Sequence, residues 1–258
     1  MKIALITLSA EGARVADHIA DGFPEARVYL HTSVEAALLG ERFESILNLS
    51  EEIFDRFEGL VYIAPCGVAV RAIAPLLKHK TVDPAVVVVD VCGRFAISLL
   101  SGHERGANDL AFQVANLIDA EPIVTTTTEA SKNLVVGIGC RRGTASKRIV
   151  EAIKVVLADA DLGLDQVRLL ASADIKANEA GLIDAAREMG IPLRFISSEE
   201  IRACKRAFQR SDWVQQKVNL PAVAEPAALL AGRRTTLLVP KKSHHGITIA
   251  VARENCSS

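Results

Sequence analysis

The chain has 258 residues, half of them hydrophobic, enough for one large α/β core or, closer to ordinary domain sizes, two domains. Its 30 Lys and Arg stand against 31 Asp and Glu, so the net charge of -1 gives no global field to gather nucleic acid. With one Trp and two Tyr there are few stacking platforms for single strands, and a nucleic-acid partner is not expected.

The amino terminus, MKIALITLSA, has one Lys and a short apolar run that ends in a polar turn. It lacks the long core and cleavage site of an export signal and reads as a first strand. No apolar stretch approaches the ~18 to 20 residues that span a bilayer; even the run from Ala85 to Val89 stops at Asp90. No membrane partner is expected. Cys66, Cys92, Cys140, Cys204 and Cys256 are scattered and without CxxC spacing. That pattern argues against a disulfide framework and a structural zinc site, and it fits a reducing cytoplasm.

Continuous apolar runs predict strands at Ile3 to Leu8, Leu60 to Ala64, Val86 to Val89, Ile123 to Thr125, Leu134 to Ile138, Thr236 to Val239 and Ile247 to Val251. Between them lie amphipathic helical segments, Asn108 to Leu117 and Ser146 to Leu157. A strand from Val167 to Ser172, a helix around Glu179 to Met189 and a strand from Leu193 continue the alternation. Glu199 to Val218 is charged and helical in character, and Glu225-Pro226 opens a helix ended by Gly232. Strand alternating with helix predicts an α/β fold of two domains, each a largely parallel sheet covered by helices in three layers. The polar stretch TTTEASKN marks the boundary, giving domains 1–130 and 131–258.

Three segments have residues suited to chemistry. In GRFAISLLSGHERGANDLA a strand runs through a turn with two glycines and His103 into a helix. The helix start at His103 to Asn108 offers unpaired N–H groups to a carboxylate or phosphate, with Gly102 and Gly106 allowing close approach. The alternative is that Ser101 caps the helix and His103 is a solvated surface residue. Upstream, Gly67 follows a strand and Arg71 lies four residues further on. Ligands of open α/β sheets bind outside the carboxyl edge, where Cys66, Gly67, Asp90 and Thr125, Thr126, Thr127 and Thr128 are expected to converge; the alternatives are a surface ion pair for Arg71 and a plain strand end for the threonines. In LVVGIGCRRGTASKRIVEAI, a buried strand enters a turn made of Gly139, Cys140, Arg141, Arg142, Gly143 and Thr144. Its GxGxxxG spacing departs from the dinucleotide fingerprint GxGxxG, and the two Arg suit a carboxylate-rich or phosphate-rich ligand. The bland alternative is a solvated turn with Thr144 as helix cap. Adjacent His244 and His245 would point to opposite sides of a regular strand, so a metal site is not expected.

Taken together, GLVYIAPCGVAVRAIAPLLKHKTVDPAVVVVD, ISLLSGHERGAN and PIVTTTTEA resemble the amino-terminal domain of the CbiG family of cobalamin biosynthesis, the cobalt-precorrin-5A hydrolases. GIGCRRGTASKRIVEAI, LASADIKANEAGL, VAEPAALLAG and LLVPKKSHHGITIAVA are similar to the family's carboxyl-terminal domain, which also resembles the stand-alone protein CobE. The resemblance implies a cobalt-bearing corrinoid substrate whose ring A acetate δ-lactone is opened by water, with release of acetaldehyde. It implies no cofactor beyond the cobalt carried by the substrate. Under it, His103 or Glu104 is the general base. Gly67, Arg71, Asp90, Ser101, Gly102, Gly106, Asn108, the three threonines 125–127, the turn from Gly139 to Thr144, and Glu225 and Lys241 within the matching motifs contact substrate. The partners it implies are that small molecule and transient contacts with other corrinoid-pathway enzymes, while the near-neutral surface leaves monomer and homodimer both open. Two departures stand out: the central segment of longer relatives is absent between TTTTEASKN and LVVGIGCRRG, and Arg105 stands where the family often has Gly.

Overall fold

In the computed structural model, which describes residues 1–255, the chain divides into two units, Met1–Thr126 and Thr127–Ser258. Cys256, one of the five cysteines counted above, lies outside the described residues. In chain order the first unit contains β1 (Ile3–Thr7), α1 (Ala10–Gly22), β2 (Arg27–His31), β3 (Glu41–Phe43), α2 (Ile46–Ile53), β4 (Gly59–Ile63), α3 (Cys66–Ile73), β5 (Ala85–Val89), β6 (Phe95–Leu100), α4 (Ala107–Ile118) and β7 (Glu121–Ile123).

β1, β4 and β5 are buried at every position, because helices cover both faces of the sheet they form. On one face Ala16 and Ile19 of α1 and Leu110, Ala111 and Val114 of α4 pack against Leu5, Val61 and Val87. On the other, Leu49 and Ile53 of α2 and Ala69 and Ile73 of α3 close over Ile6, Leu60 and Val88. α1 starts where Ser9 accepts a hydrogen bond from the Gly12 amide at 3.1 Å, satisfying a donor that the first turn leaves without an intrahelical partner. Inside this core the hydroxyls of Ser50 and Tyr62 pair at 2.9 Å, and burial pushes the Tyr62 phenol up to about 12.

The sheet order is β3-β2-β1-β4-β5-β6-β7. From β3 to β5 the strands are parallel, β6 turns back antiparallel to β5, and β7 runs parallel to β6. That reversal follows from the short turn at Asp90, since a parallel neighbour would require a long crossover. The Asp90 carboxylate holds the turn, accepting from the amides of Arg94 at 2.7 Å and Phe95 at 2.9 Å.

The second unit contains α5 (Thr127–Ala130), β8 (Leu134–Gly139), α6 (Ser146–Ala158), β9 (Val167–Ala173), α7 (Ala180–Met189), β10 (Leu193–Ile196), α8 (Ser198–Ala203), α9 (Asp212–Val218), α10 (Ala224–Leu230), β11 (Thr235–His244) and β12 (Ile247–Glu254). Its sheet order is β10-β9-β8-β12-β11, parallel from β10 to β8 and antiparallel on either side of β12. Ile149, Ile153 and Val156 of α6 and Leu182 and Ala185 of α7 cover one face. α10, rich in alanine and buried along most of its length, lies against the other. The two sheets are thus largely parallel and sheathed by helices, the α/β architecture expected from the alternation of strands and helices.

Two expectations about local elements change. The segment Glu199 to Val218 is two short helices: Cys204 to Ser211 stays out of helix because Arg206 reaches Thr235 and the Gln209 amide donates to the buried Glu225 carboxylate. The strand expected at Ile123 to Thr125 lies two residues earlier, at Glu121–Ile123.

α10 can approach β8 only because Gly137 has no side chain: a Cβ there would overlap the carbonyl oxygen of Ala224. Gly137→Ala is therefore expected to destabilise the protein by about 2 to 3 kcal/mol through overpacking. A urea titration comparing the variant with the wild type measures it, and an unchanged midpoint would contradict the close packing.

Candidate functional site

Strand direction sorts the first unit's candidate residues into two groups. Gly67 and Arg71 follow the carboxyl end of β4, and Asp90 follows that of β5. Because β6 runs the other way, its end at Ser101 lies beside the amino end of β5, and the parallel β7 brings Thr125 and Thr126 to that same edge. The expected convergence of Cys66, Gly67 and Asp90 with the threonines does not occur. Arg71 folds back on its own helix, donating to the Gly67 carbonyl at 3.2 Å. Asp90 serves the β5–β6 turn through Cys92, Arg94 and Phe95 and is a structural residue there.

The group at the opposite edge is tightly organised. Asn108 is buried, accepts from the Ser98 hydroxyl at 2.8 Å and donates to the Thr126 hydroxyl at 3.1 Å. Ser101 does not cap the helix: the N-cap of α4 is Gly106, in the left-handed region. Ser101 is itself left-handed, with φ at 58°, and 6% exposed; its hydroxyl has no hydrogen-bond partner among the described residues. Its carbonyl accepts from the amides of Arg105 and Ala107, and the Gly102 carbonyl accepts from Asn108. These three amides, expected to receive an anion, are already satisfied. His103 is exposed. Glu104 pairs with Lys80 at 2.7 Å, which holds its carboxyl below the usual range. Thr125 is exposed, and Thr127 begins α5 in the second unit.

In the second unit the strands β8, β9 and β10 all end at one edge, and β12 begins there, with Thr248 opposite Gly139. The turn after β8 is exposed at Arg141, Arg142 and Gly143. Its geometry is set from a distance: the Gly143 amide donates at 2.6 Å to the carboxylate of Glu179, 8% exposed, at the start of α7. Gly181 packs so closely on the Thr144 carbonyl that a Cβ there would overlap it. The Thr144 hydroxyl donates to the Arg141 carbonyl at 2.7 Å rather than capping α6, whose N-cap is Ala145. Lys176 Nζ reaches the other oxygen of Glu179 at 3.4 Å. Burial pushes the Cys140 thiol up, outweighing the pull of Lys176, so this cysteine stays protonated near neutral pH. On the other side, Arg148 donates to the His245 carbonyl at 2.8 Å and anchors the β11–β12 hairpin tip, where the rings of His244 and His245 meet edge to face.

Glu225 and Lys241, expected to contact substrate, are occupied within the fold. Glu225 has no exposed surface and accepts from the amides of Gln209 and Lys241. Lys241 Nζ donates to the carbonyls of Gln209 and Arg210 at 3.2 and 3.1 Å. The pair ties the chain before α9 to β11.

Two family models match the chain: cobalamin synthesis G N-terminal over residues 48–129 and cobalamin synthesis G C-terminus over residues 134–252. The chain belongs to the cobalamin synthesis G family. A cobalt-precorrin-5A hydrolase of Priestia megaterium is 25% identical over 355 residues, covering 96% of this chain and 94% of that protein. Protein CobE of Sinorhizobium sp is 34% identical over 128 residues, 49% of this chain and 83% of CobE. Among solved structures, that of a CobE from the cobalamin (vitamin B12) biosynthetic pathway aligns with a TM-score of 0.44 at 30% identity, over 48% of this chain and 92% of that one.

In this member of the cobalamin synthesis G family, the local pattern of the glycine turn does not point to Lys176 and Glu179, which lie 33 and 36 residues beyond Gly143. A usable signal was their own spacing, three residues apart directly after a buried strand. Among the described residues no helix is long and apolar enough to cross a membrane.

The Asp90 turn makes a testable pH dependence. Burial alone would raise this carboxyl, but hydrogen bonds from Phe95, Arg94 and Cys92 outweigh it and hold the group below its usual range. A folded value below the unfolded one means that the stabilisation is present above about pH 4 and is lost as pH falls through the folded value. Asp90→Asn is therefore expected to lower stability at pH 7 and to approach the wild type near pH 3, as read by denaturant midpoints at the two pH values. A deficit of equal size at both would rule out this role.

Proposed function

We propose that the chain opens the ring A acetate δ-lactone of cobalt-precorrin-5A with water and releases acetaldehyde, giving cobalt-precorrin-5B. The observation that carries this reading is the match to both parts of the cobalamin synthesis G family, with only residues 130–133 between them. Curated relatives named cobalt-precorrin-5A hydrolase, at 25% and 24% identity, support it. A corrinoid precursor is ringed with acetate and propionate carboxylates, and the exposed Arg141 and Arg142 suit such a ligand. In this reading the cobalt arrives within the substrate, the protein supplies no cofactor of its own, and the reaction takes place in the cytoplasm.

Lactone hydrolysis needs a base for water, donors for the tetrahedral oxyanion and a proton for the departing oxygen. His103 is the better base of the two candidates, because the Lys80 pair makes Glu104 a weaker proton acceptor. With the amides of Arg105, Ala107 and Asn108 already bonded, the uncommitted Ser101 hydroxyl is a donor suited to the oxyanion. An NADP-dependent reductase using the glycine turn is disfavoured, since the Glu179 carboxylate already occupies the Gly143 amide that a phosphate would take.

Anaerobic incubation with cobalt-precorrin-5A, trapping of acetaldehyde and mass spectrometry of the macrocycle test the proposal. Acetaldehyde in step with the mass loss is the expected result. His103→Ala is expected to cut turnover by about 10² to 10⁴ with binding nearly intact; unchanged turnover removes His103 from the mechanism. Tight binding without product would favour a second reading, a carrier of an unstable corrinoid, which the match of free-standing CobE to half of the chain motivates.

A further inference from the structure

The carboxyl edge of the second sheet holds an ammonium that the fold leaves short of partners. Lys176 lies in the short turn after β9, with its side chain 15% exposed. Its Nζ has one hydrogen-bond partner among the described residues, Glu179 Oε2, at the long distance of 3.4 Å. A lysine ammonium has three donors, and a largely buried cation with one long contact has lost more hydration than that contact returns. The Glu179 carboxylate is at the same time committed to the Gly143 amide at 2.6 Å. The other acid of this turn, Asp174, accepts from the Ser198 hydroxyl and amide and from the Ile175 amide. Arg141 and Arg142, exposed on the turn that Glu179 holds, add further positive charge. Three cations thus share one edge with two carboxylates, Glu179 and Asp174, each already bonded within the fold.

We propose that Lys176 is a substrate-binding residue that receives a carboxylate of the ligand, completing with Arg141 and Arg142 a carboxylate-binding site at the ends of β8 and β9. The inference rests on the reading of the ligand as a carboxylate-rich macrocycle, and it goes beyond that reading by assigning the recognition to a specific ammonium. An incoming carboxylate would take the two donors that the fold leaves open. It would also make up the hydration that Lys176 gives up on folding. Arg141 and Arg142, on exposed chain, can follow peripheral groups of varied position, whereas Lys176 is fixed by its burial and reads one.

The probe is uroporphyrin I, a cobalt-free macrocycle with eight carboxylates and no lactone, titrated into the full chain by calorimetry, with its octamethyl ester as control. Lys176→Met is expected to weaken binding of the acid by about 10- to 100-fold, Lys176→Arg to restore most of it, and the ester to distinguish none of the three proteins. Wild-type affinity in Lys176→Met, or no binding of uroporphyrin by the wild type, overturns the proposal. Should Lys176→Met fail to fold by circular dichroism, acetylation of the wild-type chain by acetic anhydride replaces it. Protection of Lys176 by uroporphyrin, read by peptide mass spectrometry, is then expected, and equal labelling with and without the ligand overturns the proposal. Because the probe has no lactone to open, a chain that binds it through Lys176 but releases no acetaldehyde from cobalt-precorrin-5A loses the hydrolase reading and keeps this one. Acetaldehyde release with a Lys176→Met variant that binds as wild type gives the converse.

Discussion

The hydrogen bond from the Gly143 amide to the buried carboxylate of Glu179 governs what the second unit presents to solvent. A buried carboxylate needs hydrogen-bond donors in place of water, and here one oxygen takes a backbone amide while the other faces Lys176. The consequence for the turn is geometric. With Gly143 held from behind and the Thr144 carbonyl packed on Gly181, the two arginines before them project from a fixed backbone rather than from a mobile loop. The resident carboxylate also fills the role that a phosphate plays in a dinucleotide turn, which explains why the glycine spacing can resemble that motif without serving it.

The first unit depends on a different constraint, the reversal of direction between β5 and β6. Asp90 supplies the acceptors that a tight turn needs, and the reversed strand then delivers Ser101 and the start of α4 to the edge opposite Gly67. The general rule that ligands gather at the carboxyl ends of parallel strands assumes strands of one direction. Here a residue that is both left-handed and left with an unpaired buried hydroxyl, Ser101, lies at the other edge. A non-glycine residue in that region, with a buried hydroxyl left unbonded, carries a cost that packing alone does not repay, and such outliers collect at ligand-binding positions.

Much of the fold was legible in the sequence, for a physical reason: strands buried on both faces have to be continuously apolar, and β1, β4, β5 and β8 are. The strands β2 and β3 were passed over because partial exposure breaks that run, with Glu41 and Arg42 exposed and only Phe43 buried in β3. Strand direction was not legible, since an apolar run reads the same whether its neighbour is parallel or antiparallel, and direction decided which candidate residues meet. For the site, the glycines and arginines of the turn after β8 announced themselves by local pattern. Glu179 and Lys176 did not, because their meaning arises only when α7 docks on that turn. Glu225 misled in the opposite sense: a charged residue within a matching motif proved to be fully buried and bonded to two amides.

A chain with a net charge of -1 can still be selective for a carboxylate-rich molecule, and the distinction lies in range. At physiological ionic strength exposed charges are screened beyond roughly 8 Å, so distant acids on the surface contribute little at the sheet edge. What a ligand meets there is the local set, Arg141, Arg142 and Lys176 against the carboxylates of Glu179 and Asp174, both bonded within the fold. A long polyanion draws its affinity from a stripe of cations along its length, which an overall balanced surface does not offer. A compact molecule with carboxylates spaced around a ring needs only a few cations at fixed positions. The same near-neutral composition that excludes nucleic acid is therefore compatible with recognition of a small polycarboxylate, provided the fold concentrates its cations at one edge and commits its nearest acid to the backbone.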